Sequence, residues 1–108
     1  MQPDHFNAHT EHDGDAAVVR MDGELDMSGA FVLEPALDRL VADPPGHVVF
    51  DLRGLEFVDS TGLATLIGAN ERLGAAGVGT RFVRGSDDVQ RIFTIAGFDG
   101  VLDFTDAP

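Results

Sequence analysis

Strand-like and helix-like apolar patterns alternate along this chain. Ala16 to Met21, His47 to Leu52, Val78 to Val83 and Val101 to Phe104 are short apolar runs. The run His47 to Leu52 is apolar on both faces, as a central buried strand must be. Between the runs, apolar residues recur at helical spacing. Leu33, Leu37, Leu40 and Val41 follow i, i+4, i+7, i+8 within Ser28 to Ala42. Leu63, Leu66, Ile67 and Asn70 line one side of Ser60 to Leu73, and Val89, Ile92, Phe93 and Ala96 form a stripe behind Ser86. Pro35 predicts that the first regular helix begins near Glu34, or that an earlier turn is kinked. Phe6 to Thr10 is a weaker strand that would pair across the turn Asp13-Gly14-Asp15.

Strands separated by helices need crossovers, so the order β-β-α-β-α-β-α-β predicts an α/β domain. Its sheet is mixed, an antiparallel N-terminal hairpin followed by largely parallel strands, packed with about three helices. Residues 1–15 read as a polar arm with an edge strand, and residues 16–108 as the domain proper. If all three helices lie on one side, the other sheet face is little covered and could take a partner or a second copy.

Charge narrows the partners. Nineteen acids against seven bases give a formal charge of −12 over 108 residues, which repels phosphate backbones and anionic lipid. Direct nucleic-acid binding and membrane insertion are therefore not expected, whereas a partner with a basic face is. All the bases are Arg, which excludes Schiff-base and P-loop lysine chemistry. Cys is absent, so thiol catalysis and thiolate metal sites are excluded, and no cofactor is implied. Trp and Tyr are absent too, against a stacking platform. No apolar run approaches the roughly 20 residues of a membrane span, and Met1 to His5 lacks the features of a signal peptide. A cytoplasmic location is expected.

Loops at the C-terminal ends of parallel strands carry function in such sheets. Two stand out: Gly23 to Asp26, and Phe57-Val58-Asp59-Ser60-Thr61-Gly62-Leu63 at the start of the second helix. Ser60 falls at or beside an N-cap, where a hydroxyl accepts a helix N–H. A phosphate on it would add about −1.5 to −2 charge at the positive end of the helix dipole, which the helix tolerates. Gly62 would let another backbone or a phosphate approach. Taken alone, however, Asp59-Ser60-Thr61 is the signature of a plain helix cap, and Asp26 that of a first-turn acid. His5, His9 and His12, with Asp4 and Asp13, have metal-binding chemistry, but strand alternation would turn His12 away from the other two, and a polar arm accounts for them. Asp51 and Glu56 read as a solvated face, His47 as an edge residue, and Phe31, Phe57 and Phe98 mostly as core, with Phe57 or Leu63 bordering a partner surface.

Four blocks together resemble the STAS domains, and most of all their bacterial anti-sigma-factor antagonists. These are Gly23-Glu24-Leu25-Asp26, Val48-Val49-Phe50-Asp51-Leu52, Phe57 to Leu63, and Ile95-Ala96-Gly97-Phe98-Asp99, in family order from about Ala16 onward. The resemblance implies a non-enzymatic module that works by partner switching. The unmodified antagonist binds an anti-sigma factor that is a serine kinase, which frees a sigma factor. Phosphorylation of Ser60 ends the binding, and a serine phosphatase restores it. Thr61 stands where the family often has Ser and would be a minor acceptor. Asp26, Asp59, Gly62 and Leu63 would complete the contact surface, with the two aspartates flanking the hydroxyl. Arg53 departs from the family's usual small polar residue. The alternatives are a scaffold subunit of a stress-signalling or transporter-associated complex, and a hydrolase with Ser60 as nucleophile. The hydrolase lacks Gly-x-Ser-x-Gly and an evident base.

Overall fold

The computed structural model describes residues 5–106. Strands and helices follow one another as β1 (Phe6–Asp13), β2 (Ala16–Leu25), α1 (Met27–Ala42), β3 (His47–Val58), α2 (Ser60–Ala75), β4 (Gly79–Val83), α3 (Asp87–Ile95) and β5 (Phe104–Thr105). In space the strands lie in the same order, β1-β2-β3-β4-β5. The first pair is antiparallel and the rest are parallel, as the sequence pattern predicts. Gly14, with φ +60 at the first position of the two-residue hairpin loop, supplies the positive φ that a primed turn needs.

The polar segment is thus a full strand. Phe6 is buried beneath α1, while residues 1–4, which include Asp4, lie outside the described residues. Further boundaries differ from those the sequence pattern predicts. Strand β2 runs past Met21 to Leu25, so Gly23-Glu24-Leu25 is strand rather than loop, carried through by Gly23 at φ +95. Helix α1 starts at Met27, well before Glu34, and passes through Pro35. Pro35 lies on the exposed side, so the carbonyl left without its N–H partner can turn to water. Strand β3 runs on through Arg53-Gly54 to Val58. Strand β5 has only two residues.

Alternation sorts the two faces of the sheet. Ala17 and Val19 of β2 pair with Val48 and Phe50 of β3, which pair with Thr80 and Phe82 of β4; all of these but Thr80 are buried, as is Met21 further along β2. Leu33, Leu37 and Leu40 of α1, Leu66 and Leu73 of α2, and Phe93 of α3 close over this face. A chain of rings ties the short β5 to it: Phe50 stacks on Phe82 at 5.0 Å, and Phe104 meets Phe82 at 5.8 Å and Phe93 at 5.2 Å. The opposite face is a charged lattice. Glu11 takes an ion pair from Arg20 at 2.7 Å, and Arg53 clamps Asp51 through Nε (3.0 Å) and Nη2 (2.7 Å). Arg53 therefore has a structural role, because it satisfies Asp51, which is a buried acid and not part of a solvated surface as its sequence context suggests. Its guanidinium holds the Asp51 carboxyl below the usual range, against the opposing effect of burial.

Candidate functional site

Two strand-to-helix junctions lie side by side. Leu25 at the end of β2 pairs with Val58 at the end of β3, so Asp26 and Asp59 leave the sheet together. Each is the N-cap of its helix. The Asp26 carboxylate accepts from Gly29 N at 2.9 Å, and that of Asp59 from Gly62 N at 2.8 Å. The same Asp-x-x-Gly unit is thus used twice, as Asp26-Met27-Ser28-Gly29 and Asp59-Ser60-Thr61-Gly62. The repeat is legible in the sequence and points to Gly29.

Both glycines are required by close approach. A Cβ on Gly62 would stand 2.1 Å from the Leu25 carbonyl oxygen, and one on Gly29 would stand 2.8 Å from that of Glu24. Asp59 N donates to Leu25 O at 3.2 Å, which locks the start of α2 to the end of β2. Gly62 is consequently buried, and the backbone it admits is that of Leu25 in its own sheet rather than an outside ligand. Asp26 is likewise a cap, one residue ahead of the first turn. His5 Nε2 also donates to its Oδ1 at 3.2 Å. The Gly29 N–H first, and then His5, hold the Asp26 carboxyl below its ordinary range.

The cap assignment changes the standing of Ser60. It occupies the first helical position, with its residue exposed, and no hydrogen bond ties its hydroxyl among the described residues. Thr61 is half-buried, and Leu63 sits at the edge of the core. The two neighbouring hydroxyl residues open onto different grooves. Ser60 lines one of about 280 Å³ with Leu63, Ile67 and Phe98. Thr61 lines another, of about 210 Å³, with Met27, Ala30, Phe31 and Thr65.

Apolar residues stand uncovered around this junction. Phe31 is 74% exposed, Met27 61% and Phe57 48%. The core assignment of Phe31 and Phe57 is therefore overturned, and Phe98 is half-buried. The helical pattern of α1 explains the difference, because Phe31 lies off the Leu33–Leu37–Leu40 stripe, and only its size suggests burial. Acids stand beside the patch: Glu34 lines the groove of Thr61 with Met27 and Phe31, Glu71 lines that of Ser60, and Asp26 and Asp59 cap the two helices. Among the described residues no three His, Cys, Asp or Glu side chains converge as metal ligands. His47 opens the central strand β3 rather than a sheet edge.

A sheet with its helices on one face, and a capped Asp-Ser-Thr-Gly turn opening the second helix, defines a class. The STAS domain family matches residues 7–107, and the chain belongs to it. Over 64 residues it is 41% identical to the anti-sigma-F factor antagonist RsfB of Mycobacterium tuberculosis; that match takes in 59% of this chain and 52% of RsfB. The chain thus spans about half the length of the curated relatives it matches. An anti-sigma factor antagonist from Mycobacterium paratuberculosis superposes with a TM-score of 0.83 at 32% identity, covering 97% of this chain and 89% of that one. The phosphorylated form of the Bacillus cell fate determinant SpoIIAA shares the fold, with a TM-score of 0.75, 21% identity and coverage of 94% and 92%. No helix among the described residues is long and apolar enough to cross a membrane.

Proposed function

We propose that this chain is an anti-sigma-factor antagonist switched at Ser60. The unmodified form binds an anti-sigma factor that is a serine kinase and so releases a sigma factor. The kinase transfers the γ-phosphoryl group of ATP to Ser60 Oγ, leaving ADP, and the complex comes apart. A serine phosphatase hydrolyses the ester and resets the module. Thr61, on the other groove, is the minor acceptor. Asp26, Asp59, Gly62 and Leu63 shape the surface around the hydroxyl, Gly62 from beneath. The module acts by binding rather than as a hydrolase, a reading supported by the sequence around Ser60, which lacks Gly-x-Ser-x-Gly. A module that frees a sigma factor operates in the cytoplasm, where transcription takes place.

One observation carries this reading: Ser60 is exposed and its hydroxyl has no hydrogen bond among the described residues, because Asp59 has taken over the cap. The test is titration calorimetry against the serine-kinase anti-sigma factor, with an intact-mass spectrum after incubation with kinase and ATP. Wild type and Ser60→Ala should bind alike, Ser60→Asp more weakly, and only the chain with Ser60 should gain a phosphate. Equal affinities for wild type and Ser60→Asp, or phosphate gained by Ser60→Ala to the same extent, would refute it.

A further inference from the structure

Among the described residues strand β1 has one neighbour, β2, and no strand pairs with its other edge. Glu24 N donates to His5 O at 2.7 Å, so His5 and the residues at odd positions after it turn their backbone groups toward β2. Those of Ala8, Thr10 and His12 therefore point outward along the open edge. Beside that edge lies a groove of about 640 Å³ between β1 and α1, with Ala8, Thr10, Val32, Ala36 and Leu40 among its lining residues. Ser60 is not part of it.

Exposed edges are ordinarily blunted by Pro, by a bulge or by a row of Lys. Here β1 contains no Pro, its register against β2 is unbroken, and the chain has no Lys. The edge is instead self-complementary. On the open sheet face, charges alternate from β3 outward as Arg53, Asp51, Arg20 and Glu11. The series ends on an acid at the boundary. An antiparallel second β1 centred on Thr10 would place His9 of the second copy opposite Glu11, and Glu11 of the second copy opposite His9. In the same register the outward backbone groups meet as Thr10 with Thr10 and Ala8 with His12, giving about six inter-chain hydrogen bonds. A shift of one outward pair in either direction sets His9 against His9 or Glu11 against Glu11. Within one chain His9 reaches Glu11 only at 3.9 Å, and Arg20 is its direct neighbour on β2.

We infer that two copies of this chain associate edge to edge through β1, in the register centred on Thr10, to form a ten-stranded continuous sheet with both Ser60 sites free. Repulsion between two chains of charge −12 keeps the association weak, so it belongs at millimolar chain concentration. Sedimentation equilibrium should give twice the 11.5 kDa of one chain for wild type. Thr10→Pro should give a folded monomer, since it removes an outward N–H with no partner among the described residues. His9→Glu should weaken the dimer at least tenfold, and the exchange His9→Glu with Glu11→His should restore it. If circular dichroism shows Thr10→Pro unfolded, the charge pair decides alone. A monomeric wild type at millimolar concentration, a dimer that survives in folded Thr10→Pro, or indifference to both charge variants overturns the inference.

Discussion

Replacing Asp59 by Ala, beside Ser60→Ala, tests which residue starts α2. Asp59→Ala removes the side-chain acceptor 2.8 Å from Gly62 N. Losing an N-cap costs about 0.5–2 kcal/mol. This site belongs in the upper half of that range, because Gly62 is buried and its N–H cannot turn to water. The carboxylate also interacts favourably with the helix dipole, by about 0.3–1 kcal/mol. A loss of about 1–2 kcal/mol follows, and each kcal/mol lowers Tm by about 4–8 °C in domains near this size. Ser60→Ala removes a hydroxyl that bonds nothing in the described structure, so its Tm should stay within about 2–4 °C of wild type, the equivalent of the roughly 0.5 kcal/mol typical of exposed substitutions. Differential scanning calorimetry of the three proteins under one buffer reads the difference directly. If Ser60→Ala is as destabilising as Asp59→Ala, the hydroxyl is part of the cap, and the separation between fold and switch is lost.

Gly62→Ala should cost about 2–3 kcal/mol by chemical denaturation, since backbone must yield to the new Cβ; Gly68→Ala, with nothing within 4 Å of its Cβ, should instead stabilise α2 by about 0.5–1 kcal/mol. Asp51→Asn should lower stability at neutral pH by about 1–2 kcal/mol, a value reduced because Arg53 is half exposed. Its pH dependence has a fixed sign. The folded Asp51 carboxyl titrates below its unfolded value, so its contribution is complete above the ordinary carboxylate range and disappears as acid takes the pH through the lowered folded value. Wild-type and Asp51→Asn melting curves should therefore converge in acid, and parallel curves throughout would disprove the clamp.

Much of this architecture is legible without coordinates. Helical and strand periods in alternation set the element order, and the antiparallel hairpin follows from a short turn where crossovers elsewhere need helices. What escapes is decided by tertiary contacts. Pro35 looks like a start signal, yet its exposed position lets the helix carry it, with Asp26 capping two turns earlier. Arg53-Gly54 looks like the end of β3, but Arg53 is anchored by Asp51 and the strand continues. At the site, Ser60 stands out from the sequence while its neighbour's role does not. Ser and Asp are both good caps, and only the Asp59–Gly62 distance separates them. Phe31 and Phe57 escape because a large apolar side chain predicts burial unless something will later cover it.

How the proposed phosphate would dislodge a partner follows from the charges already present. Asp26 and Asp59 cap the two helices at the junction, and Glu34 and Glu71 line the grooves of Thr61 and Ser60. The whole chain carries a formal charge of −12, so a partner drawn to this face is basic. Two more negative charges would attract such a surface from a distance rather than repel it. Dissociation must then come from volume and from water: a phosphoryl group cannot fit between Ser60 and an apolar surface seated on Leu63, Ile67 and Phe98, and burying a dianion without partners is costly. The two mechanisms respond differently to salt. Screening shortens from about 30 Å at 0.01 M to about 3 Å at 1 M ionic strength, which would erase a repulsion-driven effect and leave an exclusion-driven one in place. The affinity ratio between unmodified and phosphorylated chain should therefore hold or widen across that range in calorimetric titrations, because salt also screens the attraction of the added charges to a basic partner, while both affinities fall. By the same reasoning Ser60→Asp, which supplies charge but less bulk, should weaken binding less than the phosphate does. A ratio that collapses toward one at high salt would mean that repulsion drives the switch, and the basic character assigned to the partner would be wrong.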